Sequence, residues 1–363
     1  MKIRVMLGAL AAFLFFSCDQ YPIFYAISQE VEPKEPRVKG GPTAMIELDG
    51  TMYVASRFGK TIHYYDKAGA WNRISSPNGN IMDLAADGKY LYALYALTGD
   101  PLGETKVYYR KEDASWEPIS DGVDGAVQTI CGAGGVNGGY IFASTAKGLF
   151  VYKTDENSFS SLLPDIPKEN KVTGAALLES TYYVAVVNKG IYTFDGSALS
   201  AAPVTGTEGK PIVGMLAAGD KIVAVSRESG SGSGSLFYGD SSGFAEAQKS
   251  VAFSGAMTLW SANKTPASAS DLLLVGIQAP SYSTVNGYRE ITLNNGNLAT
   301  APLGLGTPGE SGVSTVSSTD SYVSTIGLRI VTALYQAADN TIFASTTTRG
   351  LWSYRNDVWN AED

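Results

Sequence analysis

The sequence predicts an all-β fold: a seven-bladed β-propeller of four-stranded antiparallel blades. Three observations predict it. One pattern recurs seven times: an apolar run, a turn, a strand of small residues, a second turn, an aromatic strand and a weaker fourth strand. A four-strand unit of roughly 40–50 residues, repeated several times, is how a propeller reads in sequence. The 363 residues also include 40 glycines and 21 tyrosines, a balance suited to short strands and tight turns. Finally, no stretch sustains a 3.6-residue apolar period, which argues against βαβ units and helical solenoids.

The aromatic third strand sets the register. It reads Gly-Leu-Phe-Val-Tyr at 148–152, Gly-Ile-Tyr-Thr-Phe at 190–194 and Gly-Leu-Trp-Ser-Tyr at 350–354, with variants at 61–65, 105–109, 234–238 and 287–291. The first five units keep a period of 42 to 44 residues, and insertions lengthen the last two steps to 53 and 63. Second strands align at 52–55, 91–94, 140–143, 182–185, 221–224, 272–275 and 341–344. Inner strands are expected at 44–48, 81–85, 127–131, 172–177, 212–217, 256–260 and 331–335. Trp71, Trp116, Phe159, Phe244 and Trp359 mark several of the weaker fourth strands. Six or eight units stay open, because the sixth is degenerate and residues 304–328 have room for strands. A ring must also join its ends, since unpaired sheet edges are a liability. The apolar stretch 21–27, with Pro22 at its start, is expected to add an outer strand near that join.

The N-terminus has its own logic. Lys2 and Arg4 precede an apolar run over 5–16, a charged region followed by a hydrophobic segment too short to span a bilayer comfortably. It ends Leu14-Phe15-Phe16-Ser17-Cys18, which resembles a bacterial lipobox, with Phe15 where that pattern has a smaller aliphatic residue. The resemblance implies that residues 1–17 are a signal peptide and that Cys18 is lipidated. Cleavage without lipid is the alternative. Residues 18–42 then carry the lipidated Cys and a Glu- and Pro-rich extended tether, and residues 43–363 form the propeller. Several acyl chains at ~0.8 kcal/mol per buried methylene would hold the protein firmly on a membrane. The expected location is the periplasmic or cell-surface side of a bacterial membrane, with inner and outer membrane left open.

Without the signal segment the chain has 25 basic against 35 acidic residues, a net charge of −10. A phosphate backbone repels such a surface, so no nucleic-acid partner is expected. The units resemble the broad superfamily of bacterial β-propellers, most closely repeats with an Ala-Ser-Thr second strand, as at 344–346. The stretch Ala-Asp-Gly-Lys-Tyr-Leu-Tyr-Ala-Leu at 86–94 resembles a quinoprotein-type repeat. The Trp-Asp dipeptides of WD40 blades, the regularly repeated glycine pairs of kelch blades and the Asp-box of sialidases are absent. At fold level the resemblance covers nearly all of 43–363 and is unspecific about activity.

Chemistry-bearing residues are few. On the expected inner strands the ionisable acids are Glu47 and Asp83, candidate channel carboxylates from neighbouring blades and a conceivable acid–base pair. Solvated lining is the simpler reading of both. His63 is the single histidine, and one imidazole makes no zinc site without partners. Cys131 sits in an apolar run and reads as a small buried residue. Neither a metal nor a cofactor is expected. A basic residue precedes the Gly-aromatic strand in four units: Lys60, Lys147, Lys189 and Arg349. In a propeller these turns share a face with the insertions at 98–104, 227–233, 278–286 and 304–328. On an acidic chain such an arc is a candidate face for an anionic ligand or partner, and a solvated repeat consensus is the plainer alternative. The expected function is a membrane-anchored binding or scaffold module for a protein or glycan partner. An envelope glycan-directed hydrolase or lyase with its site in the channel is the alternative. The oligomeric state is left open.

Overall fold

Each repeat folds as its own antiparallel meander, consecutive in sequence and consecutive in space. The computed structural model describes residues 38 and 42–362, apart from 57–60, 78, 98–103, 112–114, 120–122, 136–137, 154–157, 165–170, 229–232, 250–251, 261–271, 279–286, 295–296, 299–329, 348–349 and 356–357. Blade 1 is β1 (Pro42–Leu48), β2 (Thr51–Ser56), β3 (Thr61–Tyr65) and β4 (Trp71–Ser75). Blade 2 is β5 (Asn80–Ala86), β6 (Leu91–Ala96), β7 (Thr105–Arg110) and β8 (Glu117–Pro118). Blade 3 is β9 (Val127–Gly135), β10 (Gly138–Thr145), β11 (Gly148–Lys153) and β12 (Ser158–Pro164). Blade 4 is β13 (Val172–Leu178), β14 (Thr181–Val186) and β15 (Gly190–Phe194). Blade 5 is β16 (Ile212–Ala218), β17 (Lys221–Ser226), β18 (Ser235–Asp240) and β19 (Gly243–Lys249). Blade 6 is β20 (Phe253–Trp260), β21 (Leu272–Ile277), β22 (Tyr288–Asn294) and β23 (Asn297–Leu298). Blade 7 is β24 (Val331–Gln336), β25 (Ile342–Thr346), β26 (Gly350–Arg355) and β27 (Val358–Ala361).

Among the described residues six sheets have four strands, and that of blade 4 has three. That departs from the expectation of four strands in every blade. After β15 the chain returns along it but keeps only one bridge, Phe194 with Leu199. Ser200 N–H still donates to Thr193 O at 2.8 Å and Val204 N–H to Ile191 O at 2.7 Å. Between them stands Pro203, which has no N–H to give a ladder. Sequence dictates the tight turns elsewhere. At the β1–β2 hairpin Asp49 and Gly50 have φ of 48° and 72°, the paired positive angles of a type I′ turn that Asp-Gly favours.

The core is divided. Among the described residues seven clusters of buried apolar side chains each lie between two adjacent blades. Seven blades in an open row would have six junctions, so the seventh cluster closes the ring. It packs Met52, Val54 and Tyr65 of blade 1 against Phe343 and Leu351 of blade 7. The inner strands β1, β5, β9, β13, β16, β20 and β24 follow one another round the axis, and β24 returns to β1. Blades 2 and 3 approach so closely that a Cβ on Gly132 or Gly134 would collide with the backbone of Ala86 and Asp87, a place only glycine fits.

Polar bonds cross every junction as well. Trp116 Nε1 donates to Ser75 O at 2.9 Å, Ile130 N–H to Asp83 Oδ2 at 3.4 Å and Thr129 Oγ1 to Val172 O at 3.1 Å. Thr173 Oγ1 donates to Ile212 O at 2.8 Å, Arg227 Nη1 to Gln278 Oε1 at 2.8 Å and Trp359 Nε1 to Tyr288 OH at 3.3 Å. At the closure Tyr65 OH donates to Asp339 Oδ2 at 2.6 Å and Trp71 Nε1 to Glu362 Oε2 at 3.1 Å. Blade 7 supplies all four of its own strands, so the ring closes by packing of whole blades. Residues 21–27, expected to add a strand there, lie outside the described residues.

Candidate functional site

Near its start each inner strand carries a bulge. Thr43, Met82, Gln128, Thr173, Val213 and Thr332 are each skipped in the pairing with the second strand, and in blade 6 residues 254–256 are skipped. A bulge bends the strand and re-aims the neighbouring side chain. In blade 2 the residue after the bulge is Asp83. Its Oδ1 accepts from Leu84 N–H at 3.0 Å, and its Oδ2 accepts the bond from Ile130 of blade 3. Desolvation raises its pKa to about 7, against the opposing pull of those two N–H groups. Such a carboxyl is near half-ionised at neutral pH, the state in which it can both give and take a proton.

A second acid does not join it. Glu47 is exposed near the end of β1, and its Oε1 accepts from Gly50 N–H in the hairpin turn. Ala44, the first residue after the bulge in β1, holds the position of Asp83 in β5. Glu47 lies three residues further on, about 10 Å along the strand. The acid–base pairing of Glu47 with Asp83 is therefore not formed, because the hairpin turn uses one carboxylate and the next blade the other.

The remaining candidates are structural in their surroundings. Cys131 lies in β9 opposite Phe142, and burial first, then the charge of Asp83, pushes its thiol pKa up, away from nucleophilic thiolate. His63 lies in β3 opposite Val54 and Arg73. Burial and then the Arg73 charge lower its pKa. Among the described residues no three His, Cys, Asp or Glu side chains converge as metal ligands.

Two of the four arc cations can be placed. Lys147, in the β10–β11 turn, is exposed and pairs with Asp124 at 2.6 Å, just ahead of β9. Lys189 is exposed in the β14–β15 turn, where Asn188 takes φ of 60°. Its backbone O accepts from Gly209 N–H at 3.0 Å, in the segment that leads to β16. Both turns thus lie beside chain entering an inner strand, on one face of the ring. Lys60, Arg349 and most of the four insertions lie outside the described residues.

Sequence reasoning missed a cleft of about 240 Å³ between blades 1 and 2, lined by Tyr53, Tyr64 and Ile74 on one side and Leu91, Arg110 and Lys111 on the other. Its signal is which residues meet across a junction, and that is invisible within one repeat. The cleft is bordered by the β1–β2 hairpin and the turn after β3, so it opens on the face opposite Lys147 and Lys189.

No family model matches the chain, and no curated protein matches its sequence. Solved structures do match it. The WD40 propeller domain of Doa1 is 12% identical, with a TM-score of 0.52, over 89% of this chain and 93% of that one. A GH74 enzyme of Niastella koreensis is 12% identical, with a TM-score of 0.61, over 89% of this chain and 54% of that one. Here the chain spans about half the length of its match. Virginiamycin B lyase from Staphylococcus aureus is 11% identical, with a TM-score of 0.52, over 85% of this chain and 92% of that one. At such identities the likeness carries the fold alone, and the fold is that of the β-propeller proteins.

Proposed function

We propose that the protein is exported, held on a bacterial membrane by lipid on Cys18, and works as a binding or scaffold module for a protein or glycan partner. The propeller fold supports a binding or scaffold module. The observation that carries the reading is the ring itself. Among the described residues an apolar cluster packs each of the seven junctions and holds the turns at fixed spacing, and exposed cations at equivalent turns of blades 3 and 4 stand on an acidic molecule. A rigid presenting surface loses little freedom on binding.

The competing enzyme reading has Asp83 in its favour and little else. The S. aureus lyase is catalytically inactive when one histidine is changed to alanine. Here the single histidine, His63, is on the third strand of blade 1, with no place on an inner strand.

Two experiments test the proposal. Cys18→Ala should leave the protein as unprocessed precursor or release it from membranes. Mature protein of this variant that still enters the detergent phase would refute the anchor. The second replaces Lys60, Lys147, Lys189 and Arg349 together by Ser. Exposed ion pairs contribute only about 0–1 kcal/mol, so melting should barely move. Retention of the native partner should fall, and wild-type retention should weaken with salt. Equal retention and equal salt dependence in both proteins would make the arc a solvated rim.

A further inference from the structure

We infer that the cleft between blades 1 and 2 binds a carboxylate-bearing sugar, such as one uronate unit of an acidic glycan. The inference rests on the binding-module reading and gives it a ligand class. The first observation is that this junction is left open where others are filled. Tyr53 occupies the second-strand position held by Tyr92, Tyr183 and Val223 in blades 2, 4 and 5. Those three are 0%, 2% and 1% exposed, whereas Tyr53 is only partly buried.

The second observation is the chemistry of the walls. Tyr53 and Tyr64, paired across β2 and β3, have ring centroids 5.7 Å apart and planes tilted by 33°. Their π faces are electron-rich, and a pyranose ring presents polarised C–H bonds on its flat face. Ile74 and Leu91 add apolar floor. From blade 2 come Arg110 and Lys111, neither of which has an ion pair or side-chain hydrogen bond among the described residues. A planar guanidinium recognises a carboxylate through two parallel hydrogen bonds.

The acid of the cleft, Asp66, is occupied. Its Oδ1 accepts from Ala68 N–H at 3.0 Å and Ala70 N–H at 2.9 Å, and its Oδ2 from Asn72 Nδ2 at 2.9 Å. The balance of charge in the cleft stays positive. At about 240 Å³ the cleft falls short of the roughly 300–1,000 Å³ of drug-sized sites. That suits one sugar ring and its carboxylate better than a nucleotide or a folded epitope.

The test is calorimetric titration of the detergent-solubilised mature protein with a galacturonate trisaccharide and with its methyl ester. The acid should bind, and the ester should bind about tenfold more weakly, the scale of one charge-assisted hydrogen bond. Tyr53→Ala and Arg110→Gln should each weaken the acid by at least about tenfold, and Arg110→Gln should leave the melting temperature unchanged. The variant with Ser at the four rim cations should bind the acid as wild type does. Absence of binding, equal affinity for acid and ester, or indifference to Arg110→Gln would overturn the inference. If the acid does not bind while rim-dependent retention of the native partner persists, the cleft inference falls alone and the binding-module reading stands.

Discussion

Replacing Phe343 with alanine is expected to destabilise the ring by about 3–5 kcal/mol, the range for emptying a large aromatic site in a packed core. Phe343 is fully buried and comes from blade 7. Its ring sits 4.9 Å from that of Tyr65 and 5.6 Å from that of Trp71, both edge-on and both from blade 1. The substitution would leave a cavity at the closure. It would also loosen Tyr65 and Trp71, whose polar atoms bond to Asp339 and Glu362 of blade 7. Equilibrium unfolding in denaturant reads the effect. A loss below about 1 kcal/mol with unchanged cooperativity would mean that blades 1 and 7 are not packed as described.

Asp83→Asn is expected to change how stability responds to pH. In the folded protein Asp83 titrates at about 7, against 3.8 ordinarily. Between those values the folded state holds a proton that the unfolded state has lost, so this group makes stability fall as pH rises. Its contribution is complete below about pH 4 and gone above about pH 7. The full shift corresponds to on the order of 4 kcal/mol, and partial exposure brings the expectation to roughly 2–4 kcal/mol. The amide cannot ionise, but it accepts only one of the bonds from Leu84 and Ile130 and turns N–H toward the other donor, costing about 1 kcal/mol. The variant should therefore be the less stable protein near pH 4 and gain on wild type by roughly 2–4 kcal/mol on going to pH 8. Parallel stability curves for the two proteins would show that Asp83 is ordinarily solvated.

The fold was legible because a propeller repeats its reasons. Gly-aromatic strands at 148–152, 190–194 and 350–354 became β11, β15 and β26, and the weaker variants at 61–65 and 105–109 became β3 and β7. A five-residue signal suffices when it must fit the same niche in every blade. The missing outer strand of blade 4 was not legible, since Pro203 rules out one donor without saying what the rest of the segment will do. The candidate site was legible only in part. Lys147 and Lys189 stood at equivalent turns, as their place before a Gly-aromatic strand implied. Glu47 and Asp83 were both on inner strands, yet a bulge decided the use of Asp83 and is not written in residue type, while the Asp-Gly turn after Glu47 was readable without showing that it would take up that carboxylate. That Tyr53 and Arg110 line one cleft is a property of two repeats together.

The most direct measurement of the proposed binding-module function uses purified envelope glycans labelled at the reducing end. Incubated with the mature protein, they should be retained and then recovered at their original length, and retention should fall as salt is raised. Shorter or unsaturated products that accumulate in proportion to protein, and that disappear with Asp83→Asn, would contradict the account and place a catalytic centre in the channel.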